Sequence, residues 1–335
     1  MLRRIATVVA TAIFLLAASS RGARAEIPGP LTALTHDVRS LAARIPAPTA
    51  LEVFDLSTGF RAGFNATQSM PAASTIKIPV MVEVFRQLQT GKFDLDRRVT
   101  LLARDKDWGS GELCDAPAGT QYSITDLLEK MIDISDNTAT NMLIRLVGRR
   151  NINATMIGLG LTRTHLTEDI RTSDWSIRSA LRTSPHDLVR LLELMARRQL
   201  VDEWSSNEMI SILEEDQINT LLPEPLPEDV EIAHKTGSFF DTLNDAGIVY
   251  ADNAPYVIAV MTTGLPSKDL GRTFIRLLSR RVYSDELSFA RWREATGFVT
   301  AYGTRSPATT GMMPDLRYWS TGSTSDVGSG GGGGN

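Results

Sequence analysis

Apolar residues recur at spacings of three and four from Leu31 to Arg44, at Leu31, Leu34, Val38 and Leu41, predicting an amphipathic helix ended by Pro46 and Pro48. Leu51 to Leu56 alternates in part and reads as a strand. Ser57-Thr58-Gly59 turns the chain, and Phe60 to Asn65 returns it as a hairpin partner. Polar Ala73-Ser74-Thr75 then leads into Ile76, Ile78, Val80, Met81, Val82, Val84 and Phe85, the pattern of a buried helix. Phe93 to Arg104 reads as loop and short strand. Trp108 to Glu112 is a glycine-rich loop, either a cleft wall or a plain structural turn.

Ser123 to Asp126 has the form of a capping box, followed by the buried stripe Leu127, Leu128, Met131 and Ile132. That helix breaks at Ser135-Asp136-Asn137, and a second runs from Thr138 to Val147, closed by Gly148. Leu161 to Arg182 lacks apolar periodicity and reads as a long surface loop, a length at which loops are often functional. Ser184, Pro185 and Asp187 mark a helix start, with Leu188, Leu191, Leu192 and Met195 on its core face. Another helix is expected from about Ser205 to Glu214, and Pro223 to Pro227 is an extended connector. Strand-like runs follow at Val230–Lys235, Gly247–Tyr250 and Tyr256–Thr263. Lys268 to Tyr283 is a final helix, and from Ser284 the composition loosens toward a glycine-rich, disordered end. The order predicts an α+β fold. The early hairpin joins the late strands in one antiparallel sheet flanked by helices, and the central helices form a lobe across a cleft.

Composition narrows the class. The 335 residues carry 42% hydrophobic and 22% charged residues and a net charge of −4, as in a soluble globular protein with ample core. No basic patch interleaved with aromatics points to nucleic acid. Cys114 is the one cysteine, which excludes an intrachain disulfide; with no base nearby it is expected to be a small buried residue. His36, His165, His186 and His234 are scattered without metal-ligand spacing, so no metal or cofactor is expected. Residues 1–25 read as a signal peptide, with Arg3 and Arg4 before an apolar stretch and Ala23-Arg24-Ala25 as the cleavage site. The arginine pair also fits twin-arginine export, and an uncleaved anchor is the alternative. The chain thus divides into the signal peptide, a catalytic domain at 26–283 and an extension at 284–335. The mature protein is expected to be periplasmic or secreted and monomeric, without stable membrane insertion.

Three polar motifs interrupt apolar elements: Ser74-x-x-Lys77, Ser135-Asp136-Asn137 and Lys235-Thr236-Gly237. Ser74 and Lys77, three apart, share a helix face, and a serine beside an amine base is an activated nucleophile in outline. The same pair also fits a capping serine and a solvated lysine, and Ser-Asp-Asn fits an ordinary helix-helix turn. Taken together and in this order, the motifs resemble the active-site serine β-lactamases and penicillin-binding proteins, and class A β-lactamases most closely. The resemblance spans roughly Leu31 to Tyr283 and extends to Asn141, the Ser184-Pro185 helix start and His234 before Lys235.

That resemblance implies a β-lactamase/transpeptidase-like fold. It makes Ser74 the nucleophile and Lys77 its base, held partly neutral by burial and by Lys235. Ser135 becomes the proton relay, with Lys235 nearby, and Asn137 a donor to the substrate amide oxygen. Thr236 would bind the substrate carboxylate, Gly237 would let the strand approach closely, and the N–H groups of Ser74 and Ser238 would form the oxyanion hole. Asp136 would hold the loop. Two departures stand out. The family's Glu-x-x-Leu-Asn loop is replaced by Thr167-Glu168-Asp169-Ile170-Arg171-Thr172, where Glu168 is the candidate deacylation base and Asp169 second. In place of an arginine for the substrate carboxylate stands Asn244-Asp245-Ala246-Gly247, and an acid there would repel such a group. The implied activity is β-lactam hydrolysis through an acyl-serine. The alternatives are a peptidoglycan D-Ala-D-Ala-type peptidase or other amide or ester hydrolase, and a protein that is acylated by β-lactams or cell-wall peptides and holds the adduct.

Overall fold

The computed structural model describes residues 29–298. The signal-peptide expectation and the disordered glycine-rich end lie outside them. Five strands, β1 (Thr49–Asp55), β2 (Arg61–Phe64), β3 (Ile232–Phe239), β4 (Thr242–Val249) and β5 (Tyr256–Thr262), form one antiparallel sheet in the order β2-β1-β5-β4-β3. The early hairpin does pair with the late strands, Val53 opposite Ile258.

Alternation along each strand sends its side chains to two separate cores. From β1 and β5, Leu51, Val53, Tyr256, Ile258 and Val260 meet Leu34, Val38, Ile275 and Leu278 of the two terminal helices, α1 (Gly29–Ala42) and α8 (Lys268–Thr296). Ala50, Phe54, Val257, Ala259 and Met261 face the helical lobe instead. At the centre of that lobe lies α2 (Lys77–Gln89), buried on nearly every side. Around it pack α3 (Ile124–Asp133), α4 (Asn137–Val147) and α5 (Arg149–Gly158); α6 (Pro185–Ala196) lies on the sheet against β1, β4 and β5, and α7 (Glu203–Glu214) packs on both α2 and α6. The caps form as the residues dictate: Ser123 and Asp126 complete a capping box, Ser184 accepts from the Asp187 N–H, and Gly148 closes α4 at φ 85°.

The structure departs from the pattern in three places. Helix α5 was not expected, because only Ile152, Thr155 and Met156 along it are buried. Residues 161–182 are not merely a surface loop: Leu166, Ile170, Ile177 and Leu181 are buried, and two short strands there join Met70–Pro71 in a small sheet. The last helix continues past Tyr283 and buries Glu286, Phe289 and Ala290, so the 283/284 boundary does not mark the end of the packed core. The helix passes it because Phe289 and Ala290 complete the core that Val282 begins, so burial there outweighs the polar composition.

Candidate active site

A cleft of about 570 Å³ opens between strand β3, at the sheet edge, and the helical lobe. Ser74 lines it, half-buried on a short 3₁₀ turn, Ala73–Ile76, that runs directly into α2. Side chains three apart eclipse in a 3₁₀ turn, which sets Lys77 on the same side as Ser74. Lys77 is fully buried and donates to the Ser135 carbonyl at 2.5 Å, to Ser135 Oγ at 3.0 Å and to Asn137 Oδ1 at 2.9 Å. Burial first, and the Lys235 cation second, push its pKa well below the usual lysine value, against the opposing pull of Asp136, Asp216 and Asp107.

The Ser-Asp-Asn break is the junction between α3 and α4. Ser135 turns the chain at φ 57°, and Ala73, just before Ser74, sits at φ 47°. Such left-handed non-glycine residues cost on the order of 1–3 kcal/mol each and gather at functional sites. Asp136 does hold the loop: one oxygen caps α4 at the Ala139 N–H and the other accepts from the Glu112 and Leu113 N–H groups. The glycine-rich loop exists for this approach, since a Cβ on Gly111 would stand 2.3 Å from the Asp136 carboxylate. The same loop is also cleft wall, through Gly109 and Ser110. Asn137 points Nδ2 at Asp107, fixing its amide with Oδ1 toward Lys77.

On β3, Lys235 is fully buried and bonded at 2.9 Å to Asp216, which also accepts from the Thr236 N–H. A buried ion pair of this kind fixes a charge in place more than it adds stability. Thr236 and Ser238 line the cleft. What approaches Gly237 closely is the segment that carries Ser74: a Cβ there would lie 3.1 Å from the Ala72 carbonyl oxygen and 3.2 Å from the Ser74 nitrogen. The expected repulsion from Asp245 does not arise. Its side chain, opposite Thr236 in the register, is buried and does not line the cleft, held against His234 Nδ1 at 3.0 Å and the Leu222 N–H. Burial alone would lower the His234 pKa, but the Asp245 charge and hydrogen bond outweigh it and raise it. Cations reach the cleft instead from the start of α8. Lys268 and Arg272 line it, and Lys268 Nζ donates to Ser238 Oγ at 2.6 Å and to the Thr242 carbonyl at 2.7 Å.

Glu168 is not in the cleft. It is exposed, and Asp169 is drawn toward Arg149 and Arg171. Ile170 lines the cleft where an acid was expected. The physical reason is a clamp: the Asn141 side chain accepts from the Ile170 N–H at 2.8 Å and donates to its carbonyl at 3.0 Å, and the isoleucine, 5% exposed, turns inward. Asp107 pins the loop further on, at the Thr172 N–H and hydroxyl. Sequence reasoning missed Asp107, Asp216, Lys268 and Arg272 as parts of this site; none lies in a motif, and each is brought in by the fold. Cys114 is buried, and burial raises its thiol pKa. Among the described residues no cluster of His, Cys, Asp or Glu could hold a metal ion.

The model of the β-lactamase enzyme family matches residues 33–285. A β-lactamase of Streptomyces fradiae is 30% identical over 265 residues, covering 74% of this chain and 81% of the relative. β-Lactamase L2 of Stenotrophomonas maltophilia is 27% identical over 297 residues, covering 82% and 93%. Among solved structures, PBP-A superposes with a TM-score of 0.72 at 32% identity, covering 78% of this chain and 97% of PBP-A. A leucine-to-glutamate variant of PBP-A, solved as an acyl-enzyme complex with penicillin G, is equally similar at 0.72 and 32%. With the motifs assembled around one cleft, and the family match spanning most of the described fold, the chain belongs to the β-lactamase enzyme family, as a class A-like serine hydrolase.

Proposed function

We propose that this enzyme hydrolyses β-lactams through an acyl-Ser74 intermediate, with acylation fast and deacylation the slow half. The observation that carries the first half is the buried Lys77, its pKa depressed and its amine bonded to Ser135 and Asn137. Neutral Lys77 takes the Ser74 hydroxyl proton as Oγ attacks the lactam carbonyl carbon. The carbonyl electrons move onto oxygen, where the Ser74 and Ser238 N–H groups hold them. As the intermediate collapses, the C–N bond breaks and Ser135 passes a proton to the departing nitrogen, reprotonated in turn by Lys77. Thr236, with Lys268 and Arg272, receives the substrate carboxylate. The enzyme acts as an exported monomer on small-molecule substrates, without nucleic acid or stable membrane insertion.

Ile170 favours a second reading for the second half. An isoleucine cannot activate the water that must attack the acyl carbonyl, so the adduct outlives that of an enzyme with a carboxylate at this place. Long-lived acylation is also what a cell-wall peptidase shows toward β-lactams. A chromogenic cephalosporin followed together by absorbance and intact mass tests both halves. The expected result is a rapid stoichiometric adduct on Ser74 that clears slowly; absence of both adduct and turnover refutes the assignment, as does undiminished acylation of Ser74→Ala.

A further inference from the structure

Asn244 belongs to the stretch that stands in place of an arginine for the substrate carboxylate, yet it is fully buried and lines no part of the cleft. Its carboxamide engages backbone only. Nδ2 donates to the Pro71 carbonyl at 2.9 Å and to the Ala72 carbonyl at 3.0 Å, and Oδ1 accepts from the Thr262 N–H at 3.1 Å. Both amide hydrogens are thereby used. One side chain on β4 thus ties β5 to the segment that leads into Ser74.

That segment needs holding. Ala73, between the tied carbonyls and Ser74, sits at φ 47°, a conformation that glycine takes freely and alanine resists. Such strain persists only where the surroundings over-determine the backbone. Here the Ala72 N–H donates to the Leu181 carbonyl at 3.0 Å, and the Ala72 carbonyl accepts from the Thr75 N–H at 3.2 Å and the Thr75 hydroxyl at 2.7 Å. Asn244 adds the bonds that join this turn to the sheet. Its register partner on β3 is Gly237, where a Cβ would crowd the same Ala72 oxygen. A cross-strand pair therefore seats the turn, one residue by leaving room and the other by donating. We propose that Asn244 is a positioning residue for acylation. By holding the Pro71 and Ala72 carbonyls against the sheet, it keeps Ala73 in its left-handed conformation and sets where Ser74 Oγ and N–H stand relative to the Ser238 N–H. This role rests on the acylation of Ser74 set out above and adds to it what places the nucleophile; Asn244 itself touches no substrate.

Stopped-flow acylation by a chromogenic cephalosporin, over a range of concentrations, separates the limiting rate, the half-saturating concentration and the burst amplitude. In Asn244→Ala the limiting rate is expected to fall about 10- to 100-fold, the scale of displacing a reacting group by about 1 Å. Half-saturation and the amplitude per folded molecule should stay as in the wild type. A merely structural role would lower the amplitude or the thermal midpoint and leave the rate of the folded molecules alone. Asn244→Asp is nearly isosteric and keeps an acceptor for Thr262, but ionised or protonated it returns at most one of the two donors. It should be slowed as well, and it carries the test if the alanine variant does not fold. Ala73→Gly gives a readout specific to the strained turn. Glycine adopts positive φ without that strain, so in this background Asn244→Ala should slow acylation by a smaller factor than in the wild type. An undiminished limiting rate in the folded Asn244 variants, a loss confined to amplitude or half-saturation, or an equal slowing in both backgrounds overturns the proposal. Absence of any adduct in the wild-type enzyme would instead refute the catalytic assignment, so the two failures are distinguishable.

Discussion

Replacing Ile170 with glutamate should convert a slow deacylator into a turnover enzyme. The backbone at 170 is held independently of its side chain, by the paired hydrogen bonds to Asn141 and by the two that Asp107 accepts from Thr172 two residues on. A glutamate therefore projects into the cleft from the same point. Its cost is the lost burial of an isoleucine, about 1.5–3 kcal/mol, together with partial desolvation of the carboxylate. That desolvation raises the carboxylate pKa toward neutrality, the range a general base needs. A positioned base contributes about 10²–10⁴-fold in rate. The lifetime of the penicillin adduct, read by intact mass after a pulse of inhibitor, should shorten by that factor, with steady-state turnover rising in parallel and the acylation rate unchanged. Ile170→Gln, close in shape but without a titratable group, should keep the wild-type lifetime. If Ile170→Glu folds, by its thermal midpoint, and the adduct persists, or if the glutamine variant speeds clearance equally, the role given to this position is wrong.

Gly237→Ala should slow acylation by roughly one to two orders of magnitude, part of the loss seen when an oxyanion donor is removed, because the new methyl presses on the Ala72 and Ser74 backbone. Stopped-flow acylation checks it, and an unchanged rate would mean that Ser74 N–H is not a donor. Lys268 is half-buried, and burial holds its pKa down to about 8. Its charge is therefore present below that pH and lost above it, and capture of anionic β-lactams should fall on the alkaline side, a limb that Lys268→Met removes. Lys77 must be neutral to act, so it governs the acid limb instead. Asp216→Asn frees the Lys235 cation from its buried partner. It should depress Lys77 further, shifting the acid limb of the acylation profile downward; a profile that moves upward or stays fixed refutes that coupling. Burial, with Asp55 beside it, raises the Glu286 carboxyl pKa well above that of the unfolded chain. Stability is thus fullest below the unfolded value and declines as pH rises through the folded one, and Glu286→Gln should flatten that decline in thermal melts between pH 4 and 8.

Local chemistry made half of this site legible and tertiary packing hid the rest. Ser74, Ser135 and Lys235 could be located because each polar motif interrupts an apolar element, and a helix cap or a strand edge is a local event. Asp107 and Asp216 carry no such mark; one reaches Asn137 and the other Lys235 only after distant segments meet. The last helix was cut short because Asp285 and Glu286 look like solvent-facing residues, while the fold buries both behind Phe289. Glu168 failed for a different reason. Counting along the chain from flanking motifs assumes a loop of standard length, yet register in a loop is set by whichever residue the core can hold. Between Leu166 and Trp175, Ile170 is the only apolar residue among Thr167, Glu168, Asp169, Arg171, Thr172, Ser173 and Asp174. Burying it is the one favourable choice open to that stretch, and turning it inward sends the acids on either side outward. The outward turn of Glu168 was therefore written in the loop's hydrophobic pattern, in the single residue that water would reject.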